Sequence, residues 1–170
     1  VSLFEEAVTA ANKAVFEESA SHVEYEGMGT TVVACTLEEN TLYIANIGDS
    51  RLYLIRDGIE QITDDHSLVE EMVKQGNITE SEARIHPQKN IITRALGINE
   101  EVQADFFEID VEQGDVIMLC SDGLSNMIED EDMEYIVKNS DTLQTAAESL
   151  VARANENGGN DNITVVLAEV

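Results

Sequence analysis

Basic residues are scarce in this sequence. Its 170 residues include 9 Lys and Arg against 35 Asp and Glu, which gives a formal net charge of −26 at pH 7. Nucleic-acid binding needs clustered Lys and Arg to neutralise phosphates, so the composition argues against that function. An acidic chain suits cations or basic partners, although a well-solvated surface also accounts for most of the charge without any function.

Long hydrophobic runs are absent as well. No apolar stretch approaches the roughly 18 residues needed to span a bilayer, and the sequence does not open with a basic segment followed by an apolar one. We therefore predict neither membrane insertion nor export, and we expect a cytoplasmic protein.

Cysteine is rare, with Cys35 in "TVVACTL" and Cys120 in "VIMLC". Both lie within apolar runs, where a buried, reduced thiol is favoured over a disulfide or a metal ligand. Repeats, low-complexity tracts and linkers are absent, and a chain of this length is long enough for one core but short for two. These features predict a single domain over residues 1–170.

The start of the chain is abrupt. The first residue is Val1 rather than Met, and Ser2 and Glu5 already form the capping box of a helix. A fragment of a longer protein is expected to begin in this way. Apolar residues at helical spacing from residue 3 to residue 18 predict that the first helix is amphipathic.

The rest of the pattern alternates between strands and helices. Short β-rich runs fill residues 30–62, where Asp57-Gly58 is a strong hairpin signal, and a helical pattern with caps at Ser67 and Thr79 fills residues 67–92. Strands are predicted again at 102–109 and 115–120, followed by two more helices. The last helix is capped by Asp141 and is followed by the strand "ITVVLAEV". This order predicts a layered α+β domain.

Three aspartates stand at strand ends between small or polar residues: Asp49 in "GDS", Asp122 in "SDG" and Asp161 in "GGNDN". If the strands are neighbours, the carboxylates converge at one edge of a sheet and repel one another unless a cation lies between them. Oxygen ligands without His or Cys favour Mg²⁺ or Mn²⁺. Asp and Gly are also ordinary turn residues, so turns without a ligand are the competing interpretation.

Other polar residues give weaker indications. We interpret His66, which precedes a predicted helix, as a hydrogen-bonded structural residue, His86 as a loop residue and His22 as an exposed one. Arg51 is suited to phosphate or, equally, to an ion pair with a nearby aspartate. No Ser-His-Asp triad is indicated.

The motifs taken in order resemble a known family. They are "GMGTT", "ANIGDSRLYL", "DDHSLVEEMVKQGNIT", "HPQKNIITRALG", "QGDVIMLCSDGLSNMI" and "NGGNDNITVVLAEV". This series resembles the bacterial metal-dependent serine/threonine phosphatases of the protein phosphatase 2C family, and it covers nearly the whole chain. The resemblance implies a four-layer α-β-β-α sandwich of two antiparallel sheets flanked by helices, incomplete at the N-terminus.

The resemblance also implies a site and a chemistry. Asp122 and Asp161 match ligands of one of two paired Mn²⁺ or Mg²⁺ ions, and Asp49 with Asp122 matches a third, looser metal site. A metal-activated water would attack phosphorus in phosphoserine or phosphothreonine. Residues 67–93, with Ser67, Gly76 and Pro87, look like the family's flap, which influences substrate entry. Bacterial relatives commonly oppose a serine/threonine kinase, so phosphoproteins and such a kinase are the implied partners.

The sequence departs from the family upstream. Family members carry a first strand with Arg and an acidic residue, then an Asp-Gly-x-Gly-Gly-His motif, which together supply the metal-bridging Asp, the phosphate-binding Arg and the proposed acid. These motifs do not occur here. The chain thus resembles the C-terminal two thirds of such an enzyme, and no catalytic acid or phosphate-binding Arg is assigned. Truncated sheet faces are expected to promote self-association.

Three hypotheses follow from the sequence. In the first, the parent protein is a phosphatase and this chain alone is inactive or impaired. In the second, the chain is a non-catalytic pseudophosphatase or regulatory module that binds a partner. In the third, it is an acidic cation-binding domain without phosphatase ancestry.

Overall fold

The structure is a computed structural model that describes residues 2–170. Val1 and the side chain of Ser2 lie outside the described part, so the predicted capping box and the expectation drawn from Val1 fall there too. No helix among the described residues combines the length and the apolar character needed to cross a membrane.

The strands pair into two antiparallel sheets. Residues 2–170 contain seven of them: β1 Val32–Glu38, β2 Thr41–Ile47, β3 Arg51–Ile55, β4 Ile59–Gln61, β5 Asp105–Asp110, β6 Val116–Cys120 and β7 Val165–Glu169. One sheet has the order β1-β2-β5 and the other the order β4-β3-β6-β7, and all pairs are antiparallel. The predicted Asp57-Gly58 hairpin is confirmed as the connection between β3 and β4.

The helices account for the rest of the regular structure. The same residues contain six α-helices: α1 Ser2–Ser21, α2 Leu68–Lys74, α3 Glu80–Arg84, α4 Asp122–Ser125, α5 Asp130–Lys138 and α6 Leu143–Glu156. A short 3₁₀ helix covers Val23–Tyr25. Two antiparallel sheets flanked by helices confirm the predicted fold class.

Side chains alternate between the two faces of the four-stranded sheet, and each face packs into its own hydrophobic core. On β3, Tyr53 and Ile55 face α4, α5 and α6, while Leu52 and Leu54 face the other sheet. Because side chains alternate across a strand, a run that is apolar at every position is buried on both faces. This explains why the "RLYLI" run is apolar beyond its first residue, and it places the four-stranded sheet at the centre of the molecule.

The first helix is confirmed, but its apolar side is largely uncovered. Leu3 is 76% exposed, and only Asn12 is buried among the helix residues that the structure describes. The Asn12 side chain donates to the carbonyls of Asn99 and Glu100 and accepts from the Gly97 amide at 2.8 Å. A polar side chain therefore fixes this helix to the body of the protein.

Helix ends follow the predicted caps, with one correction. The Ser67 and Thr79 side chains cap α2 and α3, each accepting a hydrogen bond from the backbone N–H three residues ahead. The prediction that Asp141 caps the last helix is wrong, because the Thr142 hydroxyl accepts from the Thr145 N–H and the helix begins one residue later. Helix α4, a single turn after β6, was not predicted as a separate element.

Candidate metal and phosphate site

A cleft of about 550 Å³ opens where the four-stranded sheet meets α2, α3, α4 and α5. Acidic side chains dominate its wall, among them Asp49, Asp65, Asp122 and Asp130, while Arg51 and Arg84 contribute positive charge. Because of this acidic wall, the predicted ligands of a cation are expected in the cleft.

Three strand ends lie close together at this cleft, where Asp49 and Asp122 line the wall. Cys120, the last residue of β6, pairs with Arg51 at the start of β3 and with Val165 at the start of β7. Asp122, Asp49 and Asp161 consequently lie at one end of the sheet, as predicted. Asp49 follows β2 along the chain, but β2 belongs to the other sheet, and Asp49 reaches the site because it precedes β3.

Close backbone packing joins the turn of Asp161 to the end of β6. A Cβ atom on Gly123 would lie 2.2 Å from the Asn162 carbonyl oxygen, so only glycine fits there. The Ser121 hydroxyl donates to that same oxygen at 3.1 Å and accepts from the Thr164 N–H at 3.0 Å. These contacts hold Asp161 beside Asp122.

The carboxylates affect one another electrostatically. Burial, together with the charges of Asp122 and Asp65, raises the pKa of Asp49 to about 6. Burial and the charge of Asp161 raise the pKa of Asp122 above its ordinary value. Grouped carboxylates with raised pKa values are the arrangement that a divalent cation stabilises.

The donor set suits a hard cation. The charge of Asp122 acts on Asp49 and that of Asp161 acts on Asp122, and all three offer carboxylate oxygens, the ligands that Mg²⁺ and Mn²⁺ prefer. Within residues 2–170, no group of three or more His, Cys, Asp or Glu side chains is close enough to hold a metal ion by itself. The chemistry of the residues fits the metal, whereas the described residues alone do not form a complete set of three ligands.

Arg51 forms an ion pair, which is one of the two roles predicted for it; the other was phosphate binding. Its partner is Asp65 rather than the adjacent Asp49, and the pair is bidentate, with Nε–Oδ1 and Nη2–Oδ2 distances of 2.9 and 2.8 Å. Arg51 also donates to the Tyr53 hydroxyl at 2.9 Å. Three of the five N–H donors of its guanidinium are directed at these two side chains, so the structure gives Arg51 a role in shaping the cleft wall.

The histidines match their predicted roles. His66 is buried, with Nδ1 accepting from the Gly48 N–H at 3.0 Å and Nε2 3.0 Å from Asp105 Oδ2. His86 lies in a loop and accepts from the Gln88 N–H, and His22 is exposed near Glu18. Cys35 and Cys120 are both free, as predicted, but the predicted burial is confirmed only for Cys120, because Cys35 is half-buried.

Helices α2 and α3 lie within the predicted flap, which we call the flap segment (residues 67–93). Ser67 lines the cleft, whereas Gly76 and Pro87 do not. Arg84 anchors α3 across the cleft mouth, because its Nη2 lies 2.9 Å from Glu129 Oε1 and donates to the Ser125 and Ile128 carbonyls.

Comparison with known proteins agrees with this arrangement. The model of the family described as protein phosphatase 2C matches residues 2–168. The chain therefore belongs to the protein phosphatase 2C family. Its membership overturns the third hypothesis, a cation-binding domain without phosphatase ancestry.

Curated phosphatase 2C relatives are longer than this chain. The chain is 44% identical over 159 residues to the serine/threonine phosphatase stp of Listeria monocytogenes serotype 4b, an alignment that covers 93% of this chain and 63% of the relative. It is 47% identical over 147 residues to the protein phosphatase PhpP of Streptococcus pneumoniae, covering 86% and 60%. The chain thus spans less than two thirds of each of these relatives.

Solved structures share the fold closely. The Stp1 phosphatase of Staphylococcus aureus superposes with a TM-score of 0.96 at 36% identity, covering 99% of this chain and 67% of that one. The catalytic domain of the phosphatase PstP, solved in complex with two manganese ions, superposes with a TM-score of 0.89 at 37% identity, covering 98% and 69%.

Sequence reasoning missed Asp65 and Asp130 as cleft residues. Asp65 contacts Arg51, and Asp130 lies 3.5 Å from the Tyr53 hydroxyl, where burial raises the pKa of its carboxyl. The signal available for Asp65 was its place in the loop that follows β4, the hairpin partner of the strand that carries Arg51. Asp130 carried no such signal, because it reaches the cleft only through the packing of α5.

Proposed function

We propose that the parent protein is a metal-dependent phosphatase that hydrolyses phosphoserine and phosphothreonine in proteins. The observation that carries this proposal is the acidic cleft lined by Asp49 and Asp122, with Asp161 near enough to Asp122 for its charge to raise the pKa of that carboxyl. Membership of the protein phosphatase 2C family and the two manganese ions in the PstP structure support it.

Each residue has a part in the proposed mechanism. Asp122 and Asp161 would hold one of two paired Mn²⁺ or Mg²⁺ ions, and Asp49 with Asp122 would hold a third. When bound, divalent ions lower the pKa of a water nucleophile and neutralise the phosphoryl oxygens. The Arg51–Asp65 pair keeps the cleft wall fixed beside Asp49, and the flap segment borders the path by which substrate enters.

This chain alone is proposed to be inactive or impaired. Its sequence contains no Asp-Gly-x-Gly-Gly-His motif, to which the family resemblance assigns the metal-bridging Asp and the acid. The same gap favours the second hypothesis, a non-catalytic regulatory module, if the parent protein also lacks the motif.

Phosphate release from a phosphothreonine peptide in the presence of Mn²⁺ tests both statements. We expect the full-length parent to be active, its Asp122→Asn variant to lose most of that activity, and residues 1–170 alone to show little. An inactive parent would overturn the phosphatase proposal in favour of the regulatory module. Activity of the isolated chain that Asp122→Asn abolishes would show that the remaining carboxylates suffice.

The proposed partners are phosphoprotein substrates and a cognate serine/threonine kinase. A cytoplasmic location stays a prediction from the sequence.

We also propose that the isolated chain self-associates. Leu3 on α1 is 76% exposed, and Val166 on the outer strand β7 is 54% exposed. Unpaired strand edges and uncovered apolar side chains favour contact with another copy. Light scattering at rising protein concentration should show an increasing mean mass, and a strictly monomeric species would contradict the proposal.

A further inference from the structure

His66 occupies a junction between the flap segment and the turn that carries Asp49. Its side chain is 4% exposed. Its backbone N–H donates to the Gly48 carbonyl at 2.9 Å, and its ring Nδ1 accepts from the Gly48 N–H at 3.0 Å. Both polar groups of the Gly48 backbone are therefore bound to one residue.

The hydrogen bonds determine the tautomer of His66. A backbone N–H can only donate, so Nδ1 carries no proton, and in the neutral ring the proton is on Nε2. That N–H donates to Asp105 Oδ2, 3.0 Å away. Arg94 Nη1 also lies 3.1 Å from Nε2, but it can only donate, and its hydrogen bond goes to Asp105 Oδ1 at 2.7 Å. A histidine whose second nitrogen donates to a carboxylate is held in one orientation, as in the outer shell of many metal sites.

Asp105 connects the two ends of the flap segment. Its Oδ2 accepts from His66, immediately before the segment, and its Oδ1 accepts from Arg94, immediately after it, at 2.7 Å. The Thr93 N–H donates to the His66 carbonyl at 2.8 Å, and Ser67 pairs with Ile92 as an isolated bridge. The base of the flap segment and the His66 ring thus form one hydrogen-bonded unit.

The turn on the other side of this unit has little freedom. Gly48 has a φ of +106°, and a Cβ there would lie 2.4 Å from Thr31 Cγ2. The Gly48 carbonyl and the Asp49 nitrogen belong to the same planar peptide, so the bond from the His66 N–H fixes the plane from which the Asp49 side chain extends. A second hydrogen bond joins the same two stretches of chain, because the Asn46 side chain donates to the Asp64 carbonyl at 2.9 Å.

We propose that His66 is a positioning residue that transmits the arrangement of the base of the flap segment to Asp49. The inference rests on the proposed function, in which Asp49 is a metal ligand. Its consequence is that a change at Asp105, which belongs to the three-stranded sheet, alters cation binding at the end of the four-stranded sheet.

Two substitutions of His66 separate its two hydrogen bonds. The Oδ1 of an Asn lies near the position of Nδ1, so His66→Asn keeps the acceptor for Gly48 and loses the contact with Asp105. The Nε2 of a Gln lies near the position of the histidine Nε2, so His66→Gln keeps the contact with Asp105 and loses the acceptor. Each variant lacks one bond, which makes them matched controls for a general loss of stability.

We would measure Mn²⁺ affinity of residues 1–170 by calorimetry and hydrogen exchange of the Gly48 and Thr93 amides by NMR. His66→Gln should weaken Mn²⁺ binding by roughly tenfold and speed exchange at Gly48, whereas His66→Asn should stay closer to the unmodified chain at both readouts. Equal affinities for the Asn and Gln variants, at similar thermal midpoints, would overturn the proposal.

Asp105→Ala tests the transmission itself. We expect the amides of Gly48 and Thr93 to lose protection together, with a loss of Mn²⁺ affinity that is smaller than for His66→Gln and similar to that for His66→Asn, since both Asp105→Ala and His66→Asn remove the bond between His66 and Asp105. Faster exchange at Thr93 with Gly48 unchanged would show that the two ends are not coupled.

An Asp49→Asn variant distinguishes failure of this inference from failure of the proposed function. If Asp49→Asn leaves Mn²⁺ binding unchanged, the metal role of Asp49 is wrong. If Asp49→Asn weakens binding and His66→Gln does not, the positioning role is wrong. The exchange rates decide whether His66 orders the turn even when binding is too weak to measure.

Discussion

The carboxyl group of Asp49 is energetically costly in the metal-free protein. Its pKa is raised from 3.8 to about 6 in the folded state, so the folded protein holds this proton more tightly than the unfolded chain does. Protonation of Asp49 therefore stabilises the folded protein. This contribution to the free energy of unfolding is complete below about pH 4 and is lost as pH rises through about 6.

Replacing Asp49 by Asn should remove this cost. In the presence of a chelator, we expect Asp49→Asn to raise the free energy of unfolding above pH 7 by about 1 kcal/mol, after allowance for solvent screening of a partly exposed group. The difference should vanish near pH 4. Urea titrations across this range measure it, with the exposed Asp141→Asn as control, and a variant less stable at high pH would contradict the assignment.

Gly123 offers a second test at the residue level. A Cβ at this position would lie 2.2 Å from the carbonyl oxygen and 2.9 Å from the carbonyl carbon of Asn162, and backbone atoms have little room to retreat. Gly123→Ala should therefore destabilise the protein by about 1–3 kcal/mol.

The matched control is Gly58→Ala, because a Cβ on Gly58 meets nothing within 4 Å. Chemical denaturation of both variants gives the comparison. Equal stabilities would mean that the turn containing Asp161 moves away freely and does not constrain that aspartate.

Single-residue chemistry could be predicted from sequence wherever a local pattern carries it. The aspartates in turns, the Ser67 and Thr79 caps and the free cysteines depend on neighbours within a few positions. The partner of Arg51 could not be predicted, because Asp65 approaches it only once β3 and β4 have paired, and the adjacent Asp49 was the nearer candidate along the chain.

Among the elements, α3 depends on a single side chain for its place over the cleft. Arg84 binds the Ser125 and Ile128 carbonyls and the Glu129 carboxylate, while no residue of this short helix is buried. Because apolar packing contributes little, loss of the guanidinium should free the helix.

We expect Arg84→Ala to speed hydrogen exchange in α3 while leaving α6 unchanged. Arg153→Ala serves as control, since Arg153 makes only longer ion pairs, at 3.9 and 3.6 Å, on the surface of α6. Unchanged exchange in α3 would show that the flap segment is held by its base alone.

Element types were predictable because the periodicity changes clearly between strands and helices. The assignment of the strands to one sheet or the other could not be predicted. The runs "TLYIANI" and "RLYLI" follow each other along the chain, yet β2 and β3 belong to different sheets, since Gly48 turns the chain between them. The exposure of α1 was also beyond sequence reasoning, because an amphipathic pattern shows which side is apolar and not what covers it.

For the whole molecule, charge is the dominant property. With 35 acidic residues against 9 basic ones, repulsion favours expansion of the chain. Added NaCl screens this repulsion, so the thermal midpoint should rise by a few degrees with ionic strength, and KCl should act equally. A falling midpoint would mean that ion pairs such as Arg51–Asp65 outweigh the general repulsion.

The strand order β4-β3-β6-β7 has a consequence for how the protein is made. Arg51 in β3 pairs with Cys120 in β6, and β6 in turn pairs with β7, so the sheet joins segments that are far apart along the chain. Such non-local pairings fold slowly, because the entropy of long loops is lost before the contacts form. During synthesis, the β3–β4 hairpin emerges from the ribosome before β6, so the free edge of β3 stays unpaired until β6 has emerged, and β6 in turn stays unpaired on its other side until β7 has emerged. The acidic cleft therefore cannot form gradually, and it is completed only in the final step of folding.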